Sequence, residues 1–395
     1  MTSSVAQVAA AMDASYWGSS PMRIRDISLR ELVGRHRWCP SPSRPSLRAV
    51  MARHATAGPM RIRFVHWNAY LLDIVVTAKR LVKVRAGEIG PALAPDYDLV
   101  SLCEVWSTDS VRAILSGWGS VVPTHASGRS GDLTNGLGSG LLVVSPGQAL
   151  EYVAEHSFEA EGAVWDADKW AEKGVMLTRV PLAKGKIELF STHLFFGDGS
   201  GEEERTKVRL KELAEFVQFF KSQHDPRNVA LLAGDFNIEA GSDGYDRMIA
   251  LLASISLPGG GTTGFKDFWL HGVGDAAADR LAGTNREGDA ADPKREKDFS
   301  AVCHFGFPAG SAASGPTRDF FCDDRSFSSR GRVDFVFVEA PQPTHLFDLD
   351  LSRLRRRTFG RADAVALVQP VENDREYYLS DHLALDVLLI ATPRD

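Results

Sequence analysis

Long apolar runs are missing from this chain. Nowhere do about 18 consecutive apolar residues occur, the minimum for a membrane-spanning helix, so no transmembrane segment is expected. Cysteine is scarce: Cys39, Cys103, Cys303 and Cys322 are too few and too scattered in 395 residues for a disulfide framework. Free thiols and a cytoplasmic protein are the expectation, and Cys303 with Cys322 is the pair to test in an exported product. The first twelve residues lack a basic region followed by an apolar stretch, so no secretory signal is expected. No internal repeat is visible, and no Ser or Cys stands in a nucleophile motif. Cationic surplus is lacking too. The net charge is −6, and since the first sixty residues hold eight Arg against Asp13, Asp26 and Glu31, the remainder is about −11. An acidic body excludes a non-specific nucleic-acid binder with a broad basic stripe, though not a nuclease with a local basic rim.

Apolar and charged fractions of 44% and 24% are those of an ordinary globular protein with a sizeable core. Residues 1–59 form a basic N-terminal extension with little periodic pattern, containing the linker-like Cys39-Pro40-Ser41-Pro42-Ser43-Arg44-Pro45. From residue 60 to 395 strands and helices alternate, the texture of an α/β catalytic domain. Strands are expected at 61–67, 98–103, 140–144, 174–179, 186–192, 229–233, 332–338 and 383–390. Between Glu202 and His224, Leu210, Leu213, Val217 and Phe220 fall on one helical face, and three glutamates open the helix where its dipole favours anions. The Gly-, Asp- and Ala-rich stretch 258–330 reads as an insertion or long loop. Its Phe305, Phe307, Phe320, Phe321 and Phe327 suit either a small core of its own or a peripheral membrane contact.

Chemistry concentrates at strand ends. Asn68, Glu104, His193 and the pair Asp235 and Asn237 each follow a separate apolar strand. Val229-Ala230-Leu231-Leu232-Ala233 runs into Gly234-Asp235-Phe236-Asn237, which alone reads equally well as a turn. In extended backbone Asp235 and Asn237 would share a side, placing an anion beside a neutral amide. Asp334 lies inside the apolar strand 331–338, where a carboxylate is costly unless paired. Asp381 and His382 precede the last strand, and a histidine near Asp334 would become an oriented general base.

His66-Trp67-Asn68, Leu102-Cys103-Glu104-Val105, Ser191-Thr192-His193-Leu194, Gly234-Asp235-Phe236-Asn237, Arg332-Val333-Asp334-Phe335 and Ser380-Asp381-His382 together resemble, in order and type, the signature of the endonuclease/exonuclease/phosphatase superfamily. The resemblance covers about residues 61–391. It implies a four-layer α/β/β/α sandwich of two packed mixed sheets with helices outside. It implies a divalent cation, Mg²⁺ or alternatively Mn²⁺, and hydrolysis of a phosphodiester by in-line attack of water. Carried over residue by residue, Glu104 would be the principal metal ligand with Asn68 beside it. Asp235 would orient water or reach a second metal, and Asp381 would assist at the metal or the histidine. Asn237 and His193 would donate to the phosphoryl oxygens, Asn68 would belong to the same phosphate-binding set, and His382 would be the general base held by Asp334. The segments Asn68-Ala69-Tyr70, Glu104-Val105-Trp106, Gly136 to Ser145 and Glu172-Lys173-Gly174 are similar to the neutral sphingomyelinase branch. That favours a phospholipid substrate. A nuclease acting on DNA or RNA is the alternative, for which Arg205, Arg209 and the cluster Arg353, Arg355, Arg356 and Arg357 are the basic candidates. A phosphomonoesterase on inositol phosphates and a catalytically inactive interaction protein complete the alternatives. Oligomeric state has no signature in the sequence.

Overall fold

Side-chain alternation along the strands builds the architecture. A computed structural model of the chain describes residues 58–71, 82–119, 123–128, 130–132, 136–159, 171–197, 201–258, 260–271, 333–357, 360–361, 377–378, 380, 382 and 384–394. The N-terminal extension up to residue 57, the phenylalanines at 305–327, Asp381 and the cysteines other than Cys103 lie outside the described residues. Twelve strands form two six-stranded mixed sheets. In chain order they are β1 (Met60–Asn68), β2 (Leu99–Cys103), β3 (Thr124–Ser127), β4 (Leu142–Ser145), β5 (Glu151–Ser157), β6 (Gly174–Pro181), β7 (Lys186–His193), β8 (Val229–Asp235), β9 (Phe265–Asp267), β10 (Asp334–Glu339), β11 (Phe347–Arg357) and β12 (Ala384–Pro393). The first sheet runs β11-β12-β1-β2-β4-β3 and the second β9-β10-β8-β7-β6-β5. Each has a parallel pair near its centre, β1 with β2 and β7 with β8. Strand β9 lies in the stretch read as insertion and forms an edge of the second sheet.

Three apolar clusters correspond to the three interfaces of four layers. Ile62, Phe64, Leu99, Ile187, Leu189, Leu231, Val336 and Val387 belong to the cluster between the sheets. Val65, Trp67, Val100 and Leu102 point the other way, onto helices α1 (Val82–Leu93) and α2 (Thr108–Ser116). Gly90 of α1 sets how closely those helices cross, because an added Cβ would collide with the Ile114 carbonyl. On the second sheet Phe190, Ala230, Leu232, Phe335 and Phe337 pack against α3 (Glu202–Gln223) and α4 (Asp243–Ala253). The helix anticipated at 202–224 is there, with Leu213, Phe216, Val217 and Phe220 buried. The order helix, sheet, sheet, helix is the expected four-layer sandwich. No helix among the described residues is long and apolar enough to cross a membrane.

The inner faces change character along their length. On β1 the residues facing the other sheet run Ile62, Phe64, His66, Asn68; on β7 they run Ile187, Leu189, Ser191, His193; on β8, Val229, Leu231, Ala233, Asp235. Period-two alternation therefore delivers polar groups to one rim of an otherwise apolar sandwich.

A second buried polar cluster ties the second sheet to α3 away from that rim. His224 at the end of α3 has Nδ1 2.8 Å from Glu188 Oε2 and Nε2 3.3 Å from Glu339 Oε1, with all three side chains buried. Arg179 donates to Glu188 at 2.9 Å, and His345 Nε2 lies 3.5 Å from Glu339 Oε2. Burial alone would depress the His224 pKa, but Glu188 and Glu339 raise it to about 9. The folded state therefore retains a proton that the unfolded chain releases near 6.5, and this stabilisation is full below 6.5 and lost as pH rises through 9. His224→Ala is expected to cost about 3–5 kcal/mol at neutral pH, the usual result of stripping one partner from a buried ion pair. Urea unfolding on either side of that window checks this, since the difference between wild type and variant should shrink at the higher pH.

Candidate active site

The rim residues come from strand ends that belong to both sheets. Asn68 closes β1, Glu104 follows β2, His193 closes β7, Asp235 closes β8 and Asp334 opens β10, while His382 lies just before β12. Asn68 Nδ2 donates to Glu104 Oε1 at 2.8 Å and to Asp235 Oδ2 at 3.0 Å, so one amide joins two carboxylates across the sandwich. His193 Nε2 stands 3.9 Å from each of the same two oxygens. His382 Nδ1 donates to Asp334 Oδ2 at 2.8 Å, and its Nε2 is 3.8 Å from Asp235 Oδ2. Asp235 is thus the hub. Of the residues singled out in the sequence, Asn68, Glu104, His193, Asp235, Asn237, Asp334 and His382 converge at this rim; Asp381 falls outside the described residues.

Asp235 and Asn237 do not lie along one extended strand. Asn237 has φ 51°, so the chain turns after Asp235, and the Asn237 N–H donates to Asp235 Oδ1 at 2.9 Å. This is the local carboxylate-to-backbone bond that Asp makes in turns. The Asn237 side chain donates to the Leu194 carbonyl at 2.9 Å, tying the exits of β7 and β8 together. Gly234 has a steric reason rather than a conformational one: any Cβ there would collide with the Thr192 backbone of β7. The Gly-Asp-Phe-Asn string is therefore one packed unit. Phe236 anchors it, fully buried against Phe335 and Phe337.

Three supporting groups, Lys173, Ser380 and His66, complete the rim. Lys173, buried, donates from Nζ to the Leu194 carbonyl at 2.9 Å and contacts His193 Nε2 at 3.2 Å. An ammonium has no lone pair, so His193 Nε2 must accept and its Nδ1 must carry the proton. Burial, then the charges of Lys173 and His382, hold the His193 pKa well below the usual imidazole range. Ser380 donates to the Asn68 carbonyl at 2.6 Å and accepts from the His382 N–H at 3.1 Å, linking the β1 exit to the histidine backbone. His66, buried beneath the rim, contacts Ser101 Oγ through Nδ1 at 3.2 Å and has Nε2 3.6 Å from Asp334 Oδ1. Period-two spacing from Asn68 is the signal that points His66 into the interior. Lys173 and Ser380 belong to the family-like segments, but nothing in their spacing gives them a role.

The basic candidates sort differently. Arg209 is buried and clamps the chain after β7, donating to the Phe195 and Phe196 carbonyls at 2.8 Å each and to Glu202 at 2.7 Å. Arg205 donates to the Gly197 carbonyl and to Glu202. Arg353 lies 3.4 Å from the buried Asp386. The side chains of Arg355, Arg356 and Arg357 lie outside the described residues.

Electrostatics separates the two buried aspartates. Burial works against charge on Asp334, yet the charge and hydrogen bond of His382, helped by His66, hold its pKa below the usual carboxylate range. Asp235 goes the other way: burial, then the adjacent Asp334 charge, raise its pKa despite His382 and Asn68. An ionised Asp334 therefore fixes the histidine, whereas the charge on Asp235 lacks full compensation from the side chains around it.

A profile of the Endonuclease/Exonuclease/phosphatase family matches residues 62–382, most of the chain and every strand end described above. The chain belongs to that family. Among curated relatives, a putative neutral sphingomyelinase of Drosophila melanogaster is 28% identical over 146 residues, covering 36% of this chain and 32% of that protein. Sphingomyelinase C of Leptospira interrogans is 28% identical over 170 residues, covering 40% of this chain and 30% of that protein. The matched stretches thus span about a third of those relatives. Beta toxin from Staphylococcus aureus shares the fold with a TM-score of 0.55 at 15% identity, over 82% of this chain and 99% of the toxin chain. Sphingomyelinase C from Streptomyces griseocarneus does so with a TM-score of 0.50 at 15% identity, over 84% and 99%.

The rim suits a hard cation. Glu104, His193 and Asp235 bring three ligand atoms within 4.8 Å of one another, and so do Asp235, Asp334 and His382. Asp235 belongs to both groups. Two carboxylates sharing one amide, one of them with a raised pKa, make a donor set that a divalent ion would neutralise.

Proposed function

We propose that the protein is a divalent-metal-dependent phosphodiesterase that cleaves a phospholipid head-group diester by attack of water. The observation that supports this best is the meeting of Glu104, Asn68 and Asp235 from two sheets beside an oriented His382–Asp334 pair. Glu104 and Asp235, with Asn68 beside them, would hold Mg²⁺ or Mn²⁺. When bound, the cation supplies charge neutralisation for the phosphoryl oxygens. His382 does the proton work. Its Nδ1–H is committed to Asp334, which leaves Nε2 with a lone pair beside Asp235 to take a proton from water. Both N–H groups of Asn68 are taken by Glu104 and Asp235, so Asn237, which uses one amide N–H on the Leu194 carbonyl, is the amide assigned to steady an anionic phosphoryl group without adding negative charge. Asp381, beside His382 in sequence, is assigned to assist at the metal or the histidine.

The lipid reading draws on the two curated relatives, both named sphingomyelinases. A substrate screen tests it: sphingomyelin and phosphatidylcholine vesicles, plasmid and single-stranded nucleic acid at low salt, and inositol phosphates, each with Mg²⁺ and with EDTA. Release of a phosphorylated head group is the expected result. Nucleic-acid cleavage without any lipid cleavage would overturn the lipid assignment and move the substrate to DNA or RNA.

A further inference from the structure

Among the described residues, left-handed backbone outside glycine is confined to this rim. Tyr70, Glu104 and Asn237 have φ of 49°, 59° and 51°, and they are the non-glycine residues with positive φ among those described. Such conformations are strained and persist only where neighbours enforce them. Asn237 is enforced locally, through the bond from its own N–H to Asp235. Tyr70 and Glu104 lie on adjoining segments that support each other. Ala69 N–H donates to the Cys103 carbonyl and Leu71 N–H to the Glu104 carbonyl, both at 2.9 Å, so the β1–β2 pairing continues past the kink at Tyr70. Tyr70 N–H donates to Asn68 Oδ1 at 2.9 Å. That bond fixes which end of the Asn68 amide faces the carboxylates.

The carbonyls of this kink need a donor, and helix α1 provides it. Arg85 is buried, and its two terminal nitrogens donate to the Ala69 carbonyl at 3.1 Å and to the Tyr70 carbonyl at 2.6 Å. Its guanidinium also lies over the Tyr70 ring, 5.8 Å from the centroid. A planar fork reaches two successive carbonyls at once, which an ammonium does less well. We infer that Arg85 is a positioning residue for the metal site: by gripping the Ala69 and Tyr70 carbonyls it holds the left-handed kink that aims Asn68 Nδ2 at Glu104 and Asp235. The inference rests on the metal-site reading above. Arg85 acts through the backbone and the Asn68 amide. The chain runs Arg85 to Tyr70 carbonyl, Tyr70 N–H to Asn68 Oδ1, and Asn68 Nδ2 to the two carboxylates.

Calorimetric titration of Mn²⁺ into the full chain tests this without any substrate. Arg85→Met is expected to weaken Mn²⁺ binding about 10–100-fold, the usual scale for removing a group that orients metal ligands, while still unfolding cooperatively. In an Asn68→Ala background the same substitution is expected to weaken binding less than about threefold, because the amide through which Arg85 acts is gone. Arg85→Lys, which keeps the charge and loses the fork, is expected to weaken binding about tenfold, and it decides the matter if Arg85→Met does not fold. Wild-type affinity in a folded Arg85→Met or Arg85→Lys, or equal losses with and without Asn68, would overturn the role of Arg85 alone. Failure of the wild type itself to bind Mn²⁺ would overturn the metal site and this inference with it.

Discussion

Asp334→Asn is expected to lower kcat about 10³–10⁴-fold with the fold intact, the scale seen when the carboxylate partner of a catalytic histidine becomes an amide. The reason is tautomeric. Asp334 accepts the Nδ1–H of His382 at 2.8 Å, which keeps Nε2 free to take a proton. An asparagine can present its NH₂ to Nδ1 instead, and the proton then resides on Nε2, where it blocks the base. Asn retains nearly the same volume, so the pairing of β10 with β8, in which Asp334 faces Asp235, is expected to survive. The check is kcat on the best substrate of the screen together with Mn²⁺ affinity. If His382 is the base, kcat falls far more than the affinity does.

Glu104→Gln is expected to act in the opposite proportion. The carboxylate receives the Asn68 amide at 2.8 Å and forms one corner of the Glu104, His193 and Asp235 group. Removing its charge leaves Asp235 as the anion in that group, so metal affinity should fall first. Several kcal/mol of electrostatic stabilisation are at stake, about 10²–10³-fold in kcat/KM at about 1.36 kcal/mol per tenfold. Because Glu104 already occupies φ 59°, the Gln variant meets the same backbone conformation and its melting temperature is expected to stay near that of wild type. Saturating Mg²⁺ should recover part of the activity. An Mg²⁺ requirement identical to wild type would remove Glu104 from the metal site.

Most of the site was legible because each of its members follows or opens an apolar strand, and strands that share a rim bring distant residues together. Asn68, His193 and Asp235 follow from that logic, since an apolar run that stops at a polar residue marks where a core meets a rim. The paired aspartate was legible as well: a carboxylate inside the strand 331–338 required a partner, and His382 is that partner. How the strand ends are held was not legible. For Asp235 and Asn237 a turn and a shared extended face were equally open; the backbone turns between them, and the asparagine braces Leu194, which no local pattern gave. Arg85 sits in the first turn of α1, seventeen residues beyond Asn68, and nothing in its local pattern distinguishes it from a solvated charge. Lys173 reaches His193 through the pairing of the sheet. Tertiary contacts of this kind have no period, so they leave no trace in the sequence beyond the residue type.

A metal-dependent phosphodiesterase is tested most simply by hydrolysis with the purified chain after EDTA treatment, with and without added Mg²⁺. Sphingomyelin vesicles are the first substrate, and Asp235→Asn is the control, since Asp235 joins both candidate metal groups. The expected result is no turnover after EDTA, recovery of phosphocholine release when Mg²⁺ is returned, and no recovery in Asp235→Asn. Turnover that persists undiminished in EDTA, or full recovery in the Asp235→Asn variant, would contradict it.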